Sequence, residues 1–141
     1  MINAVFVYGT LKRGQERECC WPRPPLAVIP AVTTGELHDL GPYPAMIAGN
    51  DQVLGEVWQL APDDVPETLR VLDEVECFGV DDVDLYVRSA VTCRAIADGR
   101  DLLAYAYFLA AEEDARRHPQ VEANADGYVS WPVAGSATSQ S

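Results

Sequence analysis

A chain of 141 residues with 22 acidic against 10 basic side chains carries a formal net charge of −12. Such a surface repels a polyphosphate backbone or an anionic leaflet, both of which bind through clustered Lys and Arg, so nucleic acid and membrane surfaces are excluded as partners. The length suits one domain, expected over residues 1–133, which can bury a sizeable core without disulfides or metals, while the small, polar residues 134–141 read as a disordered tail.

The N-terminus runs from Met1 straight into an apolar stretch, with neither a basic leader nor an apolar run long enough for a signal peptide or a membrane span. A cytoplasmic location is the expectation. Cys19 and Cys20 are adjacent while Cys77 and Cys93 stand apart, so no metal-type spacing occurs and all four read as reduced thiols.

In chain order, Val5 to Tyr8 is an unbroken β-branched and aromatic run, the pattern of a strand buried on both faces, and a tight loop from Gly9 to Gly14 follows it. Gln15 to Pro30 is interrupted by Cys-Cys and several prolines, which predicts irregular backbone with at most one helical turn. Strands are expected at Ala31 to Leu40 and Val53 to Leu60, with a rigid turn at Gly41-Pro42-Tyr43-Pro44. A helix should begin near Asp63 or Asp64, where Asp64 and Glu67 have capping-box spacing, and run to about Glu76. Two more strands, Leu85 to Ala95 and Leu102 to Leu109, should meet at a two-residue Asp98-Gly99 hairpin, followed by a short helix at Ala110 to Arg117. Strands, one central helix and further strands without βαβ alternation indicate an α+β domain.

Two segments carry candidate chemistry. Tyr8-Gly9-Thr10-Leu11 leaves a buried strand on a glycine-containing loop, a setting in which successive backbone N–H groups can face one anion. An ordinary Gly-Thr turn accounts for the tetrapeptide by itself; its position after the first strand is what points to a site. In the second segment, Val65, Leu69, Leu72 and Glu76 fall within roughly a 60° stripe at about 100° per residue, whereas Glu74 points to the far side and Asp73 to the flank. A carboxylate that extends an apolar stripe loses hydration, which raises its pKa towards the range useful for proton transfer. The competing reading ends the helix before Glu76 and leaves that residue on a solvated loop.

Lesser candidates are Tyr43, Tyr105 and Tyr107 as pocket walls, the last two on one strand face, and Arg88, for which a structural ion pair competes with a carboxylate-binding role. His38 and His118 are too few for a histidine metal site, and His38 would activate Cys77 only if the fold joined them. Asp81-Asp82-Val83-Asp84 lacks the twelve-residue calcium loop pattern and reads as solvated.

Taken together, Val5-Phe6-Val7-Tyr8-Gly9-Thr10-Leu11-Lys12-Arg13-Gly14-Gln15, Gly35-Glu36-Leu37, Tyr43-Pro44-Ala45, Gly55-Glu56-Val57, Leu72-Asp73-Glu74-Val75-Glu76 and Tyr86-Val87-Arg88 resemble the γ-glutamylcyclotransferase family, which includes the plant avirulence-induced-protein-like group. The run Tyr8 to Gln15 with Pro42-Tyr43-Pro44 is most similar to the γ-glutamylamine cyclotransferase branch. The resemblance implies a small mixed β-barrel with flanking helices, a loop Tyr8 to Leu11 that holds the glutamyl end of a small γ-glutamyl substrate, and Glu76 as the catalytic acid/base. It implies release of 5-oxoproline without metal or cofactor.

Two departures are Cys77, where many members carry Gly, and the acidic stretch Gly79 to Asp84 before Tyr86. The alternative is a non-catalytic module of the same fold that binds a small carboxylate; Glu76 favours the enzyme, since a pure binding site has no need of a desolvated carboxylate. The enzyme reading requires Glu76 and the Gly9 to Leu11 amides to face one cavity, roughly 5 to 9 Å apart, with Tyr43 or Tyr107 at its wall.

Overall fold

The apolar run after Asn3 forms strand β1 (Ala4–Val7), buried at all four positions. The structure, a computed structural model, describes residues 2–15, 17–41, 44–75 and 86–131. Strands β2 (Ala27–Asp39) and β3 (Pro44–Gln59) form a long antiparallel hairpin whose register shifts between Gly35 and Glu36. Strands β4 (Tyr86–Ala95) and β5 (Asp101–Leu109) form a second hairpin.

β1 lies antiparallel to β3 from Ala4↔Gln59 to Val7↔Glu56 and parallel to β5 at Val5↔Tyr105. The order β1-β5-β4-β2-β3 thus returns to β1 and closes a five-stranded mixed barrel, the architecture expected of the resemblance. A short strand β6 (Tyr128–Val129) adds in parallel to β3 at Gln52 and Val53.

Because side chains alternate across a strand, β1 feeds two cores. Phe6 joins Ala31, Met46, Val53, Val57, Ala104 and Ala106 in one cluster. Val5 and Val7 join Ile47, Trp58, Leu60, Tyr107 and Leu109 in another, which helix α1 (Val65–Val75) covers with Val65 and Leu72. The first cluster therefore fills the barrel and the second seals its outer wall beneath α1. Closure is tight at Gly55, where any Cβ would run into the Val7 carbonyl oxygen and approach Phe6 Cζ to 2.7 Å.

Several sequence expectations need correction. A 3₁₀ turn (Pro62–Asp64) precedes α1, so Asp64 lies inside a turn, and the Glu67 carboxylate accepts a bond from Arg23 Nε at 3.0 Å. The buried face of α1 is Val65, Thr68 and Leu72, adding Thr68 to the expected stripe. The β4–β5 loop has five residues, 96–100: Ala95 N–H donates to Arg100 O at 2.8 Å, and Gly99 takes a φ of 73°. Irregular backbone gives way to β2 at Ala27, before Pro30, after one 3₁₀ turn at Glu18–Cys20. The short helix after β5, α2, is confined to Glu112–Ala115. The expected tail, the acidic stretch and Cys77 lie outside the described residues.

Cys93 and Thr68 are among the buried polar groups of the interior. Cys93 sits among the barrel residues, and burial pushes its thiol up to about 11 against the opposing hydrogen bond with Thr33, which explains an inert role. Thr68 is fully buried and its Oγ1 has no hydrogen-bond partner among the described residues. An unsatisfied buried hydroxyl costs about 1–3 kcal/mol. Thr68→Val should therefore raise stability by about 1 kcal/mol in denaturant unfolding; an unchanged or lower midpoint would show that the hydroxyl is satisfied in solution.

Candidate active site

At the end of β1 the chain leaves the barrel wall with Tyr8, Gly9, Thr10 and Leu11 all buried. Glycine is required at position 9 because a Cβ there would meet Pro44 Cγ at 2.7 Å and Cδ at 2.8 Å. Pro44 is in turn held by Tyr86, whose phenol donates to the Pro44 carbonyl at 3.1 Å.

The loop turns on bonds from Lys12 N–H to Gly9 O (3.1 Å), Gln15 N–H to Lys12 O (3.0 Å) and Arg17 N–H to Thr10 O (2.7 Å). Arg13 N–H donates to Glu56 Oε1 at 2.8 Å, and Gly14 N–H to Glu18 Oε1 at 2.9 Å. Among the described residues no hydrogen bond starts at the N–H groups of Gly9, Thr10 or Leu11. Three consecutive backbone donors in buried residues, without acceptors among the described residues, make a candidate site for an anion or a polarised carbonyl.

The outer side of the loop is clamped by aromatic packing. Trp21 stacks on Trp58 with ring centroids 4.2 Å apart and donates its Nε1–H to Leu11 O at 2.9 Å. Trp58 Nε1–H donates to Glu56 Oε1 at 3.1 Å, so one carboxylate oxygen serves both the indole and the Arg13 amide. Lys12 is held below the usual lysine range, chiefly by burial, with the Glu56 charge opposing the shift.

The inner side is tied to β5 and α1 through Tyr107. Tyr8 Oη–H donates to the Tyr107 carbonyl at 2.6 Å, and Tyr107 Oη–H donates to Asp73 Oδ1 at 2.6 Å. Arg88 Nε lies 3.6 Å from the same Asp73 oxygen, and its guanidinium sits 5.0 Å from the Tyr105 ring centroid. The half-buried Asp73 is therefore not a flanking surface carboxylate, and Arg88 takes the ion-pair role that competed with ligand binding. Glu74 follows the expected phase: it is exposed and pairs with Arg70 at 3.3 Å.

Of the sequence candidates, Tyr8, Gly9, Thr10, Leu11 and Tyr107 come together, Tyr107 with its phenol on Asp73. Glu76 and Tyr43 lie outside the described residues, so the expected spacing between Glu76 and the loop does too. Asp73, Glu56 and the Trp21–Trp58 pair were not singled out in the sequence. His38 is occupied on both sides, Nε2 at 2.7 Å from Glu36 and Nδ1 at 3.0 Å from the His118 carbonyl, a structural arrangement. Among the described residues no group of three His, Cys, Asp or Glu side chains could hold a metal ion, and no helix is long and apolar enough to cross a membrane.

Gly9→Ala should force the loop away from Pro44 and lower stability by roughly 1–3 kcal/mol, with faster amide exchange at residues 10–12. Unaltered exchange there would mean that the loop does not depend on this contact.

Residues 5–128 match the family described as gamma-glutamyl cyclotransferase, AIG2-like. A gamma-L-glutamyl-butirosin B gamma-glutamyl cyclotransferase from Niallia circulans is 32% identical over 106 residues, covering 73% of this chain but 64% of that relative. An AIG2-like protein from Mus musculus has the same fold, with a TM-score of 0.66 at 23% identity over 95% of this chain and 98% of that one. YkqA from Bacillus subtilis matches with a TM-score of 0.58 at 21% identity, over 78% of this chain and 36% of YkqA.

Proposed function

Because the chain belongs to the gamma-glutamyl cyclotransferase, AIG2-like family, we propose that it releases 5-oxoproline and a free amine from a γ-glutamyl amine, peptide or γ-glutamyl-tagged metabolite. The observation that carries this reading is the set of N–H groups at Gly9, Thr10 and Leu11 without acceptors among the described residues, tied through Tyr8 and Tyr107 to the helix that precedes Glu76 in the sequence. Asp73 is three residues before Glu76, so covalent geometry alone keeps the two Cα atoms within about 11 Å whatever the intervening backbone does.

The loop amides hold the glutamyl end of the substrate and place its α-amine beside its own γ-carbonyl. Glu76 removes a proton from the α-ammonium group, and the nitrogen lone pair attacks the γ-carbonyl carbon to close the five-membered ring. Glu76 passes its proton to the leaving nitrogen as the bond to that nitrogen breaks and the carbonyl re-forms, and the second proton of the attacking nitrogen then leaves the ring through Glu76 to the released amine, giving the lactam N–H and an ammonium. Nucleophile and electrophile share one molecule, so the protein's contribution is a fixed reactive rotamer and stabilisation of the developing oxyanion by fixed donors. Neither step requires a cofactor.

The Niallia circulans relative is named for a γ-glutamyl-butirosin substrate, and a γ-glutamyl amine is the corresponding class for this chain. The net charge of −12 favours leaving groups that carry positive charge over anionic peptides such as glutathione.

The test is 5-oxoproline release from a panel of γ-glutamyl amines, γ-glutamyl dipeptides and glutathione. Turnover should be highest for cationic γ-glutamyl amines, and Glu76→Gln should lower kcat by about 10²–10⁴-fold with substrate binding and fold retained. A Glu76→Gln variant that keeps most of its kcat overturns the assignment of the base. Binding of γ-glutamyl amines without turnover by the wild type favours the carboxylate-binding module.

A further inference from the structure

We propose that Asp73 is a positioning residue, one that holds the catalytic end of α1 in register with the substrate loop through Tyr107. This role rests on the cyclotransferase reading. Three observations carry it. Asp73 is in the last turns of α1, its side chain 19% exposed, and accepts the Tyr107 phenol at 2.6 Å. The backbone carbonyl of that same Tyr107 accepts the Tyr8 phenol at 2.6 Å, so one residue of β5 is bonded at once to the helix and to the first residue of the loop. Arg88, on β4 directly across from Tyr107 in the sheet register, brings its Nε to 3.6 Å from the Asp73 oxygen.

These contacts have unequal weight. A phenol donating to a carboxylate is a short, charge-assisted bond, whereas the Arg88 contact is too long for a hydrogen bond and acts as a partly screened ion pair. Tyr107 is buried on the outer face of the barrel, beneath α1. Loss of the Asp73 bond would remove this charge-assisted tie and release the helix end at the point from which Glu76 follows. Asp73 thus acts through Tyr107 and the helix, without touching the substrate.

The role makes a distinction that helix phase alone does not. Asp73→Asn retains an Oδ1 acceptor for the phenol, whereas Asp73→Ala removes it, and Tyr107→Phe removes the donor while keeping the ring. Kinetics with a γ-glutamyl amine substrate from the panel, γ-L-glutamyl-n-propylamine, and amide hydrogen exchange of the same four proteins test it.

Asp73→Ala and Tyr107→Phe should each lower kcat by about tenfold to a hundredfold with KM changed by less than about threefold. Asp73→Asn should stay within about threefold of wild type, and the double variant Asp73→Ala/Tyr107→Phe should lose no more than Asp73→Ala alone. Wild-type kcat in Asp73→Ala, additive losses in the double variant, or a loss in Asp73→Asn equal to that in Asp73→Ala overturns the proposal.

If the wild type turns over no γ-glutamyl compound, the cyclotransferase reading is what fails, and exchange decides the positioning role. Faster exchange at both 72–75 and 9–11 in Asp73→Ala, but not in Asp73→Asn, upholds it; unchanged exchange at either segment overturns it.

Discussion

Barrel closure by four residues is the constraint on which the rest of the structure depends. Ala4–Val7 must satisfy β3 on one side and β5 on the other, with every side chain buried. A strand this short has no slack. Its alternate side chains are committed to two different cores, so a one-residue slip would exchange Phe6 with Val5 and Val7 and disrupt both. Gly55 is part of the same constraint, since only a residue without Cβ lets β3 run so close to Val7 and Phe6. The loop beginning at Tyr8 therefore starts from a fixed point and in a fixed direction.

Beyond that fixed point the loop is held from three sides by different forces. Pro44 limits it by contact at Gly9. The Trp21–Trp58 stack and the shared Glu56 oxygen hold Leu11 and Arg13 by dispersion and hydrogen bonding. Tyr8 reaches the Tyr107 carbonyl, completing the β1–β5 seam beyond its one register pair at Val5↔Tyr105. Donors in a loop so restrained are preorganised: they need little reorganisation when an acceptor arrives, and exclusion of water strengthens each of them.

Much of this was legible in the sequence because burial on two faces leaves an uninterrupted apolar record. Val5-Phe6-Val7 could hardly be anything but a central strand, and Gly9 could be picked out because a glycine directly after such a strand implies a turn or a close approach. The first half of β3 was not legible: Pro44 to Ile47 pair with Glu36 to Asp39 of β2, and Ala48, Gly49 and Asn50 lie at the register shift between that pairing and Gly35↔Asp51. Strand β6 is two residues long and exists only through its pairing with Gln52 and Val53. Asp64 and Glu67 had the spacing of a capping box, but Pro62 starts a 3₁₀ turn and Arg23 engages Glu67. Helical phase ranked Leu72, Asp73 and Glu74 correctly relative to the buried stripe. It carried no information about β5, and a tyrosine from β5 is what turns the flank of the helix into an interior contact.

On the proposed mechanism, that contact bears on why two carboxylates three residues apart take different tasks. A general base must keep an oxygen lone pair available for the proton it removes, and each strong hydrogen bond to its charged form lowers its basicity. A carboxylate that fixes a helix end has the opposite requirement, since its value lies in the bonds it accepts. Asp73, with a phenol at 2.6 Å and a guanidinium nitrogen at 3.6 Å on the same oxygen, meets the second requirement and is ill suited to the first. On the proposed mechanism, the structural bonds fall to Asp73 and leave Glu76 three residues later with its acceptor capacity for chemistry. In that proposal the shorter side chain serves the fixed contact, where reach is a disadvantage, and the longer one serves proton transfer between two nitrogens of a substrate, where an additional methylene supplies the travel.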